Sequence, residues 1–210
     1  MQKRTGGEIY IGVVGPVRTG KSTFIKRFMD VAVLPYMEDA AQKTRAQDEL
    51  PQSAGGRTIT TTEPKFIPQE AVELKLAGEV TIRVRLVDCV GFMVEGAAGH
   101  LEDGAERLVK TPWYDHEIPF TQAAELGTRK VITDHSTIGV VVTTDGSFSD
   151  LPQETYLDAE NQAISELKKL HKPFLVLVNS SHPSSRTARE AAERIEKQHS
   201  VTAICLLYTS

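Results

Sequence analysis

The chain has 210 residues, 40% hydrophobic and 25% charged, ordinary values for a globular domain. Its 24 Lys and Arg against 28 Asp and Glu leave a net charge of −4, which gives no electrostatic reason to expect nucleic acid as a partner. Cys89 and Cys205 are too few for a disulfide framework or a zinc cluster, no apolar run reaches membrane-spanning length, and Met1 to Gly7 carries no signal-type stretch, so a cytoplasmic chain is expected.

Glu8-Ile9-Tyr10-Ile11-Gly12-Val13-Val14 reads as a short buried strand. Gly15 opens a loop, and a helix follows with Phe24, Ile25, Phe28 and Val31 on its apolar face. From Leu34 to Pro64 the periodicity breaks, and a long loop is expected. Ala71 to Leu76 and Val80 to Val87 then alternate around the turn Ala77-Gly78-Glu79, the pattern of an antiparallel hairpin. A Gly-rich, weakly periodic region runs to about Trp113. Beyond it we expect a helix over Thr121 to Asp134 and a strand over Thr137 to Val142. A further helix over Gln153 to Leu170 carries Leu157, Ile164, Leu167 and Leu170 as its stripe. A strand over Pro173 to Val178 ends at Asn179, a helix covers Arg186 to Gln198, and a final strand covers Val201 to Leu207. Strands alternating with helices predict an α/β fold with a mostly parallel, doubly wound sheet and one antiparallel hairpin.

Gly15-Pro16-Val17-Arg18-Thr19-Gly20-Lys21-Ser22 fits the phosphate-binding pattern of Gly, four residues, then Gly-Lys-Ser. The glycines let backbone N–H groups of Val17, Arg18, Thr19, Gly20, Lys21, Ser22 and Thr23 turn around phosphate oxygens at the positive end of a helix. Lys21 is placed to reach the outer phosphates and Ser22 to ligate Mg²⁺. Asp88, with Gly91 three residues on, supplies the second acid: its carboxylate would hold Mg²⁺ and the Gly91 N–H would donate to the γ-phosphate. A hairpin before this acid favours the GTPase-like (TRAFAC) branch of P-loop NTPases. That branch needs a loop threonine on Mg²⁺ and the γ-phosphate, and Thr60, Thr61 and Thr62 are the candidates, Thr61 as metal ligand.

GTPases read guanine with Asn-Lys-x-Asp after the fifth strand. Here Asn179-Ser180-Ser181-His182 stands at that position, with neither the Lys nor the Asp. Charge-assisted hydrogen bonds are worth roughly 1.5–3 kcal/mol each, so their loss predicts ATP rather than GTP. Thr143-Thr144-Asp145-Gly146 follows the preceding strand and reads as a turn. The position that orients water in many GTPases is Phe92, which has no polar group for the task. Arg18 is the local candidate to neutralise transition-state charge, beside the alternative of a solvated loop arginine. Its run Arg18-Thr19-Gly20-Lys21-Ser22 is similar to that of the guanylate-binding large GTPases.

Long stretches of the chain resemble the stage IV sporulation protein A family, morphogenetic ATPases of the spore coat in endospore-forming Firmicutes. They include Arg4 to Phe28, Arg45 to Ser53 through Thr58 to Phe66, Leu86 to Gly91, Thr111-Pro112-Trp113-Tyr114, Gly127 to Ile132 and His135 to Val141. The resemblance implies ATP and Mg²⁺ as cofactors, with Lys21, Asp88 and the Thr60 to Thr62 cluster in their family roles. It implies hydrolysis coupled to self-assembly into a homopolymer, the basement layer of the coat on the forespore surface, in the mother-cell cytoplasm. A small amphipathic membrane-surface protein and other coat proteins are the implied partners, through domains not found here. Residues 1–210 are therefore expected to be one P-loop NTPase domain, cut short at its C-terminus, without the family's middle and C-terminal domains. A GTPase-type switch and a nucleotide-binding scaffold with negligible turnover are the alternative functions.

Overall fold

The computed structural model describes residues 7–51, 62–75, 81–97, 100–102, 104–148 and 151–206. Its centre is a six-stranded sheet. In chain order the strands are β1 (Glu8–Val14), β2 (Lys65–Lys75), β3 (Thr81–Asp88), β8 (Ile138–Thr144), β9 (Phe174–Asn179) and β10 (Ala203–Leu206). They lie in the order β10-β9-β8-β1-β3-β2. All neighbours are parallel except β2, which runs antiparallel to β3, as the hairpin pattern predicts. The turn predicted at Ala77-Gly78-Glu79 lies outside the described residues.

Parallel strands are buried on both faces and so read as continuous apolar runs. In β9, Val176 and Val178 enter one core while Leu177 enters the other. The first core is covered by α4 (Leu157–Lys169), α5 (Arg186–His199) and the π-turn Val131–His135 that continues α3 (Phe120–Lys130), through Ile164, Leu167, Ile195, Val131 and Ile132. The second is covered by α1 (Lys21–Phe28) and α2 (Ala40–Asp48), through Ile25 and Ala46. The doubly wound architecture thus follows the sequence reading.

Three local expectations fail. The predicted loop from Leu34 to Pro64 contains α2, which lacks an apolar stripe and buries only Ala46. Its start is fixed by the Asp39 carboxylate, whose Oδ1 accepts from Ala41 N at 2.8 Å and Gln42 N at 3.1 Å. Asp39→Ala is expected to destabilise the domain by about 1 kcal/mol, read by urea denaturation. Val31, which the sequence places on the apolar face, is 69% exposed. A π-turn over Met29–Val33 adds a residue to the helical turn and rotates that face, so that Met29 and Val33 are buried instead. Leu170, placed on the next stripe, is 42% exposed because the helix ends at Lys169; Tyr156, Ala159 and Ala163 complete that face.

The weakly periodic region also has more structure than the sequence suggests. It holds two small antiparallel ribbons, β4 (Leu101–Glu102) with β5 (Ala105–Glu106), and β6 (Leu108–Thr111) with β7 (Tyr114–Pro119). Most of β7 is exposed, so it shows no buried-face alternation. The β6–β7 ribbon runs straight into α3, where Phe120 N donates to Arg107 O at 2.8 Å. The ammonium of the exposed Lys168 donates to His199 O at 2.7 Å and ties α4 to the end of α5.

Candidate active site

The Gly15 to Ser22 loop leaves the C-terminal end of β1 and enters α1, at the centre of the sheet. Ligands of open α/β sheets bind at such strand ends. Gly20 takes φ +92° as the helix N-cap, and the Phe24 N–H makes the first helical bond to Gly20 O at 2.8 Å. The amides of Lys21, Ser22 and Thr23 before it have no intrahelical acceptor and form the positive end of the helix. The loop is braced from three sides. Thr19 Oγ1 shares its proton between Val142 O at 2.8 Å and Pro16 O at 3.0 Å. Asn179 Nδ2 donates to Thr19 O at 3.0 Å, which brings the end of β9 onto the loop. Val17 N donates to Phe92 O at 2.9 Å, and Phe92 N to Gly15 O at 3.0 Å, so that in this arrangement the Val17 amide is engaged by Phe92.

β3 lies directly beside β1, and its last residue, Asp88, faces Ser22: Ser22 Oγ donates to Asp88 Oδ2 at 2.8 Å. The other oxygen, Asp88 Oδ1, is buried without a hydrogen-bond partner. A buried carboxylate oxygen is costly to leave unmet, and a hydroxyl beside it completes a hard oxygen donor set. Ser22 and Asp88 therefore fit Mg²⁺. Lys21 is 5% exposed and its ammonium donates to Pro16 O at 2.5 Å. Burial holds Lys21 below the usual lysine range, against the pull of Cys89 and Asp88. Burial likewise pushes the Asp88 carboxyl up, against the Ser22 hydrogen bond and the Lys21 charge. Both directions describe charged groups held away from water at one point. Burial also pushes the Cys89 thiol up to about 11, so this strand-end cysteine is a packed, unreactive side chain.

Among the remaining sequence candidates, Gly91 stands against the Lys21 ammonium, and its N–H donates to Thr128 Oγ1 at 3.1 Å. Arg18 is half-buried in the loop with φ +61°. Thr62 is buried, with its carbonyl seated over Gly127 of α3. Thr60 and Thr61 lie outside the described residues. Phe92 is 1% exposed and packed in the core behind the loop.

Two residues near the site escape sequence reading. Thr128 looks like one more residue in a helix, and only the fold brings it to Gly91. Ser180, in the segment that replaces the guanine reader, donates to Asp145 Oδ2 at 2.6 Å. Asp145 Oδ1 meanwhile accepts from Ser147 N at 3.0 Å, within the turn expected there. One oxygen of the Asp145 carboxylate thus braces the loop after β9, and the other braces the turn after β8.

A mostly parallel, doubly wound sheet, with a Gly-x4-Gly-Lys-Ser loop on one strand and an aspartate ending the next, is compatible with the P-loop NTPase class. The chain belongs to the stage IV sporulation protein A family: the profile described as "Stage IV sporulation protein A, ATPase domain" matches residues 1–209. It is similar to stage IV sporulation protein A of Bacillus anthracis and of Bacillus subtilis (strain 168), 49% identical to each over 204 residues. The protein of the same name from Clostridioides difficile (strain 630) is 50% identical over 204 residues. Each alignment covers 97% of this chain but 42% of the relative, so the chain spans less than half the length of these curated proteins. Among the described residues, no helix is long and apolar enough to cross a membrane.

Proposed function

We propose that this domain binds Mg·ATP and hydrolyses it, as a P-loop ATPase of the GTPase-like (TRAFAC) type. The observation that carries this reading is the junction of Lys21 and Ser22 with Asp88 across adjacent strands β1 and β3, with Asp88 Oδ1 left unpartnered. Direct adjacency of those two strands, and the antiparallel β2, favour the GTPase-like branch over the branch with an inserted strand. Ser22 and Asp88, joined by Thr61, would hold the metal, which would supply positive charge to offset the negative charge of the phosphates. The amides from Arg18 to Thr23 cradle the phosphates, and Lys21 neutralises the outer ones. The Arg18 side chain stabilises charge in the transition state. Asn179 orients the loop that meets the base. The Asn179-Ser180-Ser181-His182 segment, with Asp145 engaged by Ser180 and Ser147, supports ATP over GTP. Turnover is slow, since Phe92 is buried and apolar where a water-orienting group would stand.

In the longer protein, hydrolysis drives self-assembly of the spore coat basement layer on the forespore surface, in the mother-cell cytoplasm. The polymer's partners there are further copies, a small amphipathic membrane-surface protein and other coat proteins. The test is phosphate release with ATP and with GTP across protein concentrations, beside Lys21→Ala. ATP turnover that Lys21→Ala removes, little turnover with GTP, and specific activity that rises with concentration are expected. Equal GTP turnover would return the domain to the GTPase switches. Mg²⁺-dependent binding without turnover would make it a nucleotide-bound scaffold, the reading that the burial of Phe92 favours.

A further inference from the structure

The Gly91 N–H has a single proton, which faces the Thr128 hydroxyl and the Cys89 sulfur in this structure and would face a γ-phosphate when ATP is bound. On the reading above it donates to the γ-phosphate. In this structure it donates to Thr128 Oγ1 at 3.1 Å, within a buried contact. The Thr128 hydroxyl is fully buried and cannot turn away freely, because it gives its own proton to Ala124 O at 2.8 Å, one turn back in α3. Its lone pair is thereby aimed at Gly91. The two alternatives lie close together: a Cβ built on Gly91 would stand 2.5 Å from Lys21 Nζ, the group proposed to meet the outer phosphates. Gly91 has φ +104°, a conformation that glycine, lacking a Cβ, adopts without strain.

We infer that Thr128 is a positioning residue that sets the preference for ATP over ADP, by holding the Gly91 N–H away from the phosphate pocket until a γ-phosphate competes for it. This rests on the ATPase reading and goes beyond it in assigning a role to a helix residue outside every nucleotide motif. The balance follows from hydrogen-bond accounting. With ADP the Gly91 proton stays on Thr128. With ATP that bond is exchanged for one to the γ-phosphate, so part of the new bond's strength is offset by the loss of the old. Removing the hydroxyl leaves the amide with only the weak Cys89 sulfur acceptor when ADP is bound, and costs nothing there when ATP is bound. The preceding residue of the same turn, Gly127, lies under the Thr62 carbonyl, so this turn of α3 touches both loops that a γ-phosphate would order.

The test measures Mg²⁺-dependent affinity for ADP and for a non-hydrolysable ATP analogue in wild type, Thr128→Val and Thr128→Ser. One exchanged hydrogen bond predicts that Thr128→Val raises the preference for the ATP analogue about 2- to 10-fold, while Thr128→Ser, which keeps the hydroxyl, matches wild type. An unchanged preference in Thr128→Val, or an equal shift in Thr128→Ser, overturns the inference. Wild type that binds neither nucleotide overturns the ATPase reading itself, and the inference with it. Should Thr128→Val fail to fold, wild type still decides. In protein labelled with ¹⁵N-glycine, the Gly91 amide must shift between ADP and the ATP analogue by more than the strand glycines Gly12 and Gly139 do. Equal shifts would overturn the inference.

Discussion

Lys21→Met is expected to cut ATP turnover at least about 100-fold while leaving the melting temperature at or above the wild-type value. The two effects separate because they have different origins. The Lys21 ammonium is buried, donates to Pro16 O, and is held below its ordinary pKa by desolvation. A cation in that position contributes little to folding, and methionine fills a similar volume without a desolvation cost. Against the outer phosphates of ATP the same burial becomes an advantage, since a low-dielectric site strengthens attraction to an anion. Phosphate release and thermal unfolding on the same preparations check both halves. A variant that lost its fold along with its turnover would show that the ammonium is structural and that the binding reading is wrong.

Gly91→Ala has the second-largest expected effect, a melting temperature lower by about 5–15 °C, together with loss of ATP binding. Two costs add. The residue sits at φ +104°, where a side chain is strained. Its Cβ would also collide with Gly15 O and meet Lys21 Nζ at 2.5 Å. Relief of that collision must push the Asp88–Phe92 segment off the phosphate loop and break the paired bonds between Phe92, Gly15 and Val17. Gly104→Ala is the matched control, because Gly104 has φ +80° with nothing within 4 Å of a built Cβ. It isolates the strain and should cost about 1–3 kcal/mol at most. Equal losses in the two variants would remove the collision, and the close packing of these two loops, from the account.

What the sequence reveals and what it hides divide along physical lines. The sheet is legible because parallel strands are continuous apolar runs, and β1, β8 and β9 each show one. The phosphate loop and Asp88 are legible because their chemistry demands fixed residue types at fixed spacing. α2 is hidden because its start depends on one capping carboxylate at Asp39 rather than on periodicity. The face of α1 is misread because a π-turn breaks the 3.6-residue rhythm after Phe28. The ribbons β4–β5 and β6–β7 are hidden because much of their surface is exposed and leaves no alternating pattern. Within the site, Thr128 and Ser180 escape because their roles come from contacts 37 and 35 residues away in the chain.

The bond from Asn179 to Thr19 O divides the labour within the base-side loop. Asn179 is anchored to the phosphate loop through its own amide, so its position is set by the grip on phosphates rather than by the identity of the base. The three residues that follow are not bound by that constraint. Ser180 and Ser181 are tied instead to the turn after β8, through Asp145 Oδ2 and Ser147 Oγ, so the loop after Asn179 takes its shape from a neighbouring turn and not from the phosphate loop. On the proposed reading, the hold on phosphate and the fit to the base then rest on separate contacts, so a change at Ser181 or His182 would alter the second without disturbing the first.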